Sequence, residues 1–130
     1  MLSLPPSCRV WLSTEAVDMR KGFDGLLAEA RRRFAEDPLG GHLFVFVGRA
    51  RDRVKVIWWD TGGLVLYCKR LEQGRFRLPR VEPGQTSVRL QAADLAMLLS
   101  GIDWSRVKRP RLYEPGRTNV REGIDKSTAR

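Results

Sequence analysis

The chain has 130 residues, of which 42% are hydrophobic, and its 24 Lys and Arg against 15 Asp and Glu give a net charge of +9. This length suits one domain with a buried core, and no apolar run approaches the roughly 20 residues that span a membrane. Two cysteines and one histidine fall short of the four ligands of a structural zinc site, and no signal peptide is recognised, so we expect a cytoplasmic protein without metal or cofactor.

The first elements predicted are a short strand and a helix. Residues 9–12 follow two prolines and indicate a strand. Asp18 can cap the helix that follows, because its carboxylate accepts from free backbone N–H groups. The apolar stripe of this helix has helical spacing and comprises Phe23, Leu26, Leu27, Ala30 and Phe34. Residues 37–41, with Pro and Gly, end the helix.

The remaining elements are mostly strands joined by short turns. The strands are predicted at residues 42–47, 54–59, 64–71, 75–78 and 86–90, and a second helix at residues 92–102. The fold class is therefore α+β: an antiparallel β-meander of about five to six strands with two helices packed on one face, followed by a basic C-terminal tail.

The domain is expected to end at residue 104. Residues 105–130 carry 8 Lys and Arg against 3 Asp and Glu, and their few apolar residues follow no period, which is typical of an extended or disordered tail. The tail holds over half of the net charge. Such a distribution favours an anionic partner, most often nucleic acid, although a solvated surface without a partner would look the same.

The meander places the loop at residues 49–53 and the turn at residues 72–75 at one end of the sheet. We call the cations gathered there the basic edge: Arg49, Arg51, Arg53, Lys69, Arg70 and Arg75. Guanidinium groups bind phosphate oxygens bidentately, so several together predict a salt-sensitive phosphate surface. Polar hairpin tips that are merely solvated are the alternative.

Further cations are candidates for the same surface. Lys55 and Trp59 share one face of their strand and could hold and stack a base, or both tryptophans could belong to the core. Arg20 and Lys21 are placed in the first helical turn, against the helix dipole, which favours a functional role. The cations of residues 31–33 suit the helix end structurally. Arg109 belongs to the basic tail.

Catalysis has little support in the sequence. No carboxylate spacing marks a divalent-metal site, His42 is the sole histidine, and no glycine-rich phosphate loop is present. We therefore expect no catalytic residues.

Several segments together resemble one family. They are VWL at residues 10–12, DMRKGFDGL at 18–26, GHLFVF at 41–46, KVIWWD at 55–60, GL at 63–64, KRLEQGRF at 69–76 and LAMLLSGIDW at 95–104. Over residues 4–104 the chain is similar to the TnpB-type accessory protein of the insertion-sequence-sixty-six family. The resemblance implies a bacterial mobile-element protein that assists a separate, larger transposase, and it carries over no catalytic residue.

The leading hypothesis is a non-enzymatic accessory protein of DNA transposition, with DNA and the element's transposase as partners and no membrane contact. An interaction module that docks on the transposase through Trp59 or Tyr67, without touching DNA, is the alternative. A metal-dependent nuclease is the third reading, and it requires clustered carboxylates.

Overall fold

A computed structural model describes residues 7–101, and these form a five-stranded sheet with two helices. The elements in chain order are β1 (Val10–Ser13), α1 (Phe23–Arg33), β2 (Leu43–Val47), β3 (Arg53–Asp60), β4 (Gly63–Arg70), β5 (Ser87–Leu90) and α2 (Ala92–Ser100). The sheet order is β4-β3-β2-β1-β5. The predicted α+β class is confirmed, with five strands.

The strand directions are mixed. The strands β2, β3 and β4 form the predicted antiparallel meander, and β5 pairs antiparallel with β1. The exception is β1, which runs parallel to β2 with Val10 opposite Leu43. A crossover through α1 returns the chain to the end of the sheet where β1 began, and strands joined in this way run in the same direction.

The two helices cover opposite faces of the sheet, where the sequence predicted a single covered face. Leu26 and Ala30 of α1, with Phe34 at its C-cap, pack on one side with Phe44 and Phe46 of β2. On the other side, α2 contributes Leu95, Leu98 and Leu99 to a core with the alternate β2 residues Leu43, Val45 and Val47. Every residue of β2 is buried. An unbroken apolar run of this kind is the sign of a strand covered on both faces.

Residues 75–78 form no strand, contrary to the prediction. The chain leaves β4, one edge of the sheet, and has to reach β5 at the other edge. Phe76 is fully buried in the α2-side core on the way, and Leu71 and Leu78 pack against that core. The apolar residues of this segment therefore anchor the crossing chain to the core, and their spacing does not mark a strand.

Gly101 is the C-cap of α2, which ends at Ser100, two residues before the predicted end at residue 102. Its φ of +79° is left-handed backbone, which glycine adopts without a steric cost, and its N–H donates to the Leu98 carbonyl. The N-terminus is closed by a capping box between Gln91 and Asp94. Residues 102–130 lie outside the described part, and so do the predicted tail with Arg109 and the boundary at residue 104.

A partly buried ionic network fixes α1 to the loop after β1. Glu29 accepts from Arg33 Nε at 2.7 Å and from Arg32, and Arg33 Nη1 donates to Ser13 Oγ and Glu15 Oε1, each at 3.0 Å. The side chains of Glu29 and Arg33 are only 12% and 10% exposed. The hydrogen bond from Arg33 holds the pKa of Glu29 below its usual range.

Glu29→Gln is expected to lower the free energy of unfolding at pH 7 by about 1–3 kcal/mol, because it leaves a partly buried guanidinium short of charge compensation. The stabilisation exists above the ordinary Glu pKa of about 4.3 and is lost as pH falls through the lower pKa of the folded state. Urea unfolding between pH 7 and pH 3 checks this. The difference between the two proteins should shrink on acidification, whereas Glu72→Gln, at an exposed pair, should change little.

Candidate nucleic-acid interface

One end of the sheet gathers most of the predicted cations. It contains the C-terminal ends of β1, β2 and β4 and the N-terminal ends of β3 and β5. The loop between β2 and β3 and the chain after β4 therefore meet here, as the predicted meander requires. Two backbone hydrogen bonds join them: Leu71 N–H donates to Asp52 O at 2.7 Å, and Phe76 N–H donates to Arg51 O at 2.6 Å.

The loop itself is a tight turn with one strained residue. Gly48 N–H donates to Arg53 O at 3.1 Å and Arg51 N–H donates to Gly48 O at 2.9 Å. Arg51 has φ +64°, the left-handed region that non-glycine residues seldom occupy. Within residues 7–101 it is the only non-glycine residue with positive φ. Backbone strain of this kind is often found at functional sites.

Four arginines of the basic edge are exposed and have no acidic partner within residues 7–101. Arg49, Arg51, Arg53 and Arg75 make no side-chain hydrogen bond or ion pair with any other residue of the described chain. The neighbouring Asp52 forms no ion pair within residues 7–101. Among the described residues, no carboxylate therefore competes with an external anion for these guanidinium groups.

The other cations of the predicted site have contacts within the fold. Lys69 Nζ donates to Leu99 O at 2.6 Å and so satisfies a terminal carbonyl of α2. Lys55 Nζ donates to Lys21 O at 2.8 Å. Arg70 lies 3.3 Å from Glu72 in an exposed pair, which contributes little stability. Contacts of this kind give Lys55 and Lys69 a structural role at the basic edge.

Arg20 and Lys21 precede α1, so the prediction that placed them in its first turn is wrong. The helix begins at Phe23, and its N-cap Gly22 makes no side-chain cap. Asp18 does not cap the helix; it accepts from the backbone N–H of Arg20 and pairs with the guanidinium at 2.7 Å. The same Arg20 hydrogen bonds hold the pKa of Asp18 well below its usual range. Arg20 remains 91% exposed.

Two grooves flank the β2–β3 loop. One, of about 520 Å³, lies between residues 16–20 and residues 48–53, and Arg20, Arg49 and Arg53 line it. The other, of about 500 Å³, is lined by Arg53, Lys55, Lys69 and Arg70. Met19 and Arg53 belong to both. A phosphate in either groove would meet guanidinium or ammonium donors on more than one side.

Gly48 leaves room for this arrangement. A Cβ at that position would lie 2.5 Å from Met19 Cγ, so a larger residue would displace the Met19 side chain from the β2–β3 loop. That close approach brings Arg20, from one segment, beside Arg49 and Arg53, from another. The sequence showed all three cations but gave no indication that Met19 joins their segments.

A smaller groove extends the surface toward the end of α2. It measures about 280 Å³ and is lined by Arg75, Arg77, Ser100 and Gly101, among others. The chain thus leaves α2 beside the basic edge. The sequence analysis did not include Arg77 among the candidate cations. Its position directly after Phe76, which is buried, was the signal that could have identified it.

The tryptophans lie away from the basic edge. Trp58 is buried on the α2 side of the sheet. Trp59 is half-buried and pairs with Leu64 beside the Thr61–Gly62 turn, at the opposite end of the β3–β4 hairpin. Trp59 therefore cannot stack a base beside phosphates held by Arg49–Arg53, although Lys55 shares its strand.

Residues 7–101 contain no group of three or more His, Cys, Asp and Glu that could hold a metal ion. None of the helices in that range is both long and apolar enough to cross a membrane.

Comparison with known proteins gives a consistent result. The family model described as IS66 Orf2 like protein matches residues 8–109. The uncharacterized protein y4hO of Sinorhizobium fredii is 44% identical over 104 residues, covering 80% of this chain and 89% of its own length. The uncharacterized protein y4jC of the same organism is 36% identical over 107 residues, covering 82% and 90%. No solved structure matches the chain.

Proposed function

This chain belongs to the IS66 Orf2-like protein family, and on that premise we propose that it is a non-catalytic accessory protein of DNA transposition that binds DNA phosphates through the basic edge. The family suggests a role beside the transposase of an insertion sequence. The proposal includes a location beside DNA in the bacterial cytoplasm, and it assigns the protein no metal or cofactor.

The observation that carries the proposal is a set of four exposed arginines at one end of the sheet that have no ion-pair partner among residues 7–101. Arg49, Arg51, Arg53 and Arg75 bring four positive charges to one surface, and no described carboxylate pairs with them. Mutual repulsion makes such a set unfavourable in the free protein. A phosphate backbone relieves the repulsion and releases its own counterions, which favours binding.

Salt-titrated binding tests the proposal. The full chain is mixed with duplex DNA carrying the terminal repeats of the insertion sequence, and with unrelated duplex of equal length. We expect binding to both that weakens steeply with salt, because phosphate contacts are independent of sequence. Absence of binding to either duplex at low salt would refute DNA contact.

Arg51→Gly separates binding from stability. An arginine in left-handed backbone is strained by about 1–2 kcal/mol, and glycine removes this strain. Glycine also raises the conformational entropy of the unfolded chain, which offsets about 0.5–1 kcal/mol of the gain in stability. We expect an unfolding free energy equal to or up to about 1.5 kcal/mol above that of the wild type, together with DNA affinity lowered about 3- to 10-fold. Urea unfolding and binding assays measure the two effects.

The control for that variant is Arg49→Gly, which removes the same charge from the same loop. Arg49 does not have positive φ, so glycine there brings only its entropy cost of about 0.5–1 kcal/mol. Arg49→Gly should weaken binding and also destabilise the protein. Full DNA affinity in Arg51→Gly would exclude its guanidinium from the interface.

Docking on the transposase is the second candidate, and the edge strand β4 favours it. Leu64, Val65, Leu66 and Tyr67 are all partly exposed there, and an edge strand offers unpaired N–H and C=O groups to a partner. A pull-down with the cognate transposase tests this. Capture that survives nuclease treatment and high salt supports direct docking, whereas capture lost on nuclease treatment shows that DNA bridges the two proteins.

A further inference from the structure

Phe23 is exposed although its sequence position predicted a core residue. Its side chain is 47% exposed, and the other large apolar side chains that are exposed in residues 7–101 are Leu39 and Val81. Phe23 is therefore the one aromatic residue in the described chain with this degree of exposure. It makes no ring contact with Trp11, Phe34, Phe44 or Phe46, the aromatic cluster of the α1 side.

The connection that precedes Phe23 is fixed to the basic edge at three points. Val17 N–H donates to Val47 O at 3.1 Å, where β2 ends. Met19 packs on Gly48 and lines both grooves. Lys55 Nζ then donates to the Lys21 carbonyl at 2.8 Å. Phe23 follows Lys21 by two residues, so only a short length of chain separates it from Met19 and Arg20, which line the grooves.

The position of Phe23 in the chain indicates the chemistry of its partner. An exposed phenyl group that follows Arg20 and Lys21 by three and two residues suits a molecule that is anionic and also has flat apolar faces. Nucleic acid combines these properties, because its phosphates are charged and its bases stack on aromatic side chains. The cations of this segment fit this partner better than an apolar protein surface, which would have to desolvate them.

We propose that Phe23 stacks on an unpaired or unstacked base of the nucleic acid whose phosphates lie on the basic edge. This inference rests on the proposed function and extends it from phosphate contact to base contact. A base inside an intact duplex already stacks on its neighbours, so Phe23 gains a contact only on single-stranded or locally opened DNA. The protein should therefore prefer such DNA over a perfect duplex.

The test compares Phe23→Ala, Phe23→Leu and Phe23→Tyr on single-stranded DNA of about 16 nucleotides that contains a fluorescent adenine analogue. We expect Ala and Leu to weaken binding about 5- to 100-fold and Tyr to bind like the wild type, because tyrosine keeps the ring. The slope of affinity against salt should stay unchanged, since no phosphate contact is lost. Fluorescence quenching of the analogue should vanish with Ala and Leu.

Each other outcome has a definite meaning. Phe23→Ala with wild-type affinity and quenching on single-stranded DNA overturns the stacking role and leaves the phosphate surface intact. Equal loss in Phe23→Tyr and Phe23→Ala, or equal loss on single-stranded and duplex DNA, also overturns it. Loss of transposase capture with unchanged DNA binding assigns Phe23 to protein docking instead.

The control variant is Leu39→Ala, which removes an exposed apolar side chain from the loop after α1. It should leave DNA binding unchanged. If the wild-type protein binds no DNA at all, the proposed function and the stacking role fail together, whereas failure of the Phe23 variants alone removes only the stacking role. Because Phe23 is exposed, circular dichroism should show the same fold in all variants.

Discussion

Phe76→Ala is expected to lower the free energy of unfolding by about 3–5 kcal/mol, the usual cost of removing a buried phenyl ring. Phe76 is fully buried although it lies in a segment without regular structure. It packs into the core between the sheet and α2, together with Leu95 and Leu98. The crossing chain from β4 to β5 has no other fully buried large side chain among residues 71–80.

The matched control is Phe23→Ala, the same chemical change at an exposed position. It should lower the free energy of unfolding by less than about 1 kcal/mol, because little apolar area is returned to water. Urea unfolding monitored by circular dichroism measures both variants. Similar costs for the two would contradict the burial of Phe76 and with it the path of the chain beside the basic edge.

Phe76 also links stability to the interface. Its N–H donates to the carbonyl of Arg51 at 2.6 Å. If the crossing chain packs less firmly, this hydrogen bond to the strained loop weakens. Amide hydrogen exchange should therefore show faster exchange at residues 48–53 in Phe76→Ala than in the wild type.

Replacing Arg49, Arg51 and Arg53 together with Gln is expected to lower DNA affinity about 10- to 100-fold near 0.1 M salt. The three side chains are exposed and none has an ion-pair partner within residues 7–101. Their removal therefore breaks no described contact and relieves mutual repulsion. The unfolding free energy should stay within about 0.5 kcal/mol of the wild type, which attributes any binding loss to the interface.

The control for charge is a second triple variant, Arg31, Arg80 and Arg89 to Gln. These arginines are exposed and line none of the grooves of the basic edge. The two triple variants have the same net charge, so general electrostatic attraction falls equally in both. Equal affinity loss in the two variants would show that net charge, and no particular surface, attracts DNA.

The sequence predicted the basic edge because local pairing governs it. Strands joined by short turns pair with their neighbours, so the loop at residues 49–53 and the turn at residues 72–75 had to meet. The prediction of a strand at residues 75–78 is wrong because alternating apolar residues occur both in strands and in an irregular chain that Phe76 anchors to the core. The spacing of apolar residues indicates which side chains are buried, and it does not show whether the backbone forms a strand.

Helix placement and exposure depended on contacts distant in the sequence. The apolar stripes of α1 and α2 do not show which face of the sheet each helix covers. The unbroken apolar run of β2 indicates that both faces are covered, but from the sequence this run predicted only a strand. Phe23 fits the stripe of α1, yet it stands one turn before Leu26, the first buried residue of the helix. The left-handed Arg51 and the approach of Met19 to Gly48 are tertiary features without a local signature.

The central claim is that the basic edge binds DNA phosphates, and the salt dependence of binding tests it most directly. Affinity for one duplex is measured across a series of salt concentrations for the wild type and the two triple variants. Each lost phosphate contact should reduce the slope of log affinity against log salt by about 0.9. The account predicts a slope smaller by about 2–3 for the Arg49, Arg51 and Arg53 variant and little change for the control. Equal slopes for the wild type and the Arg49, Arg51 and Arg53 variant would contradict it.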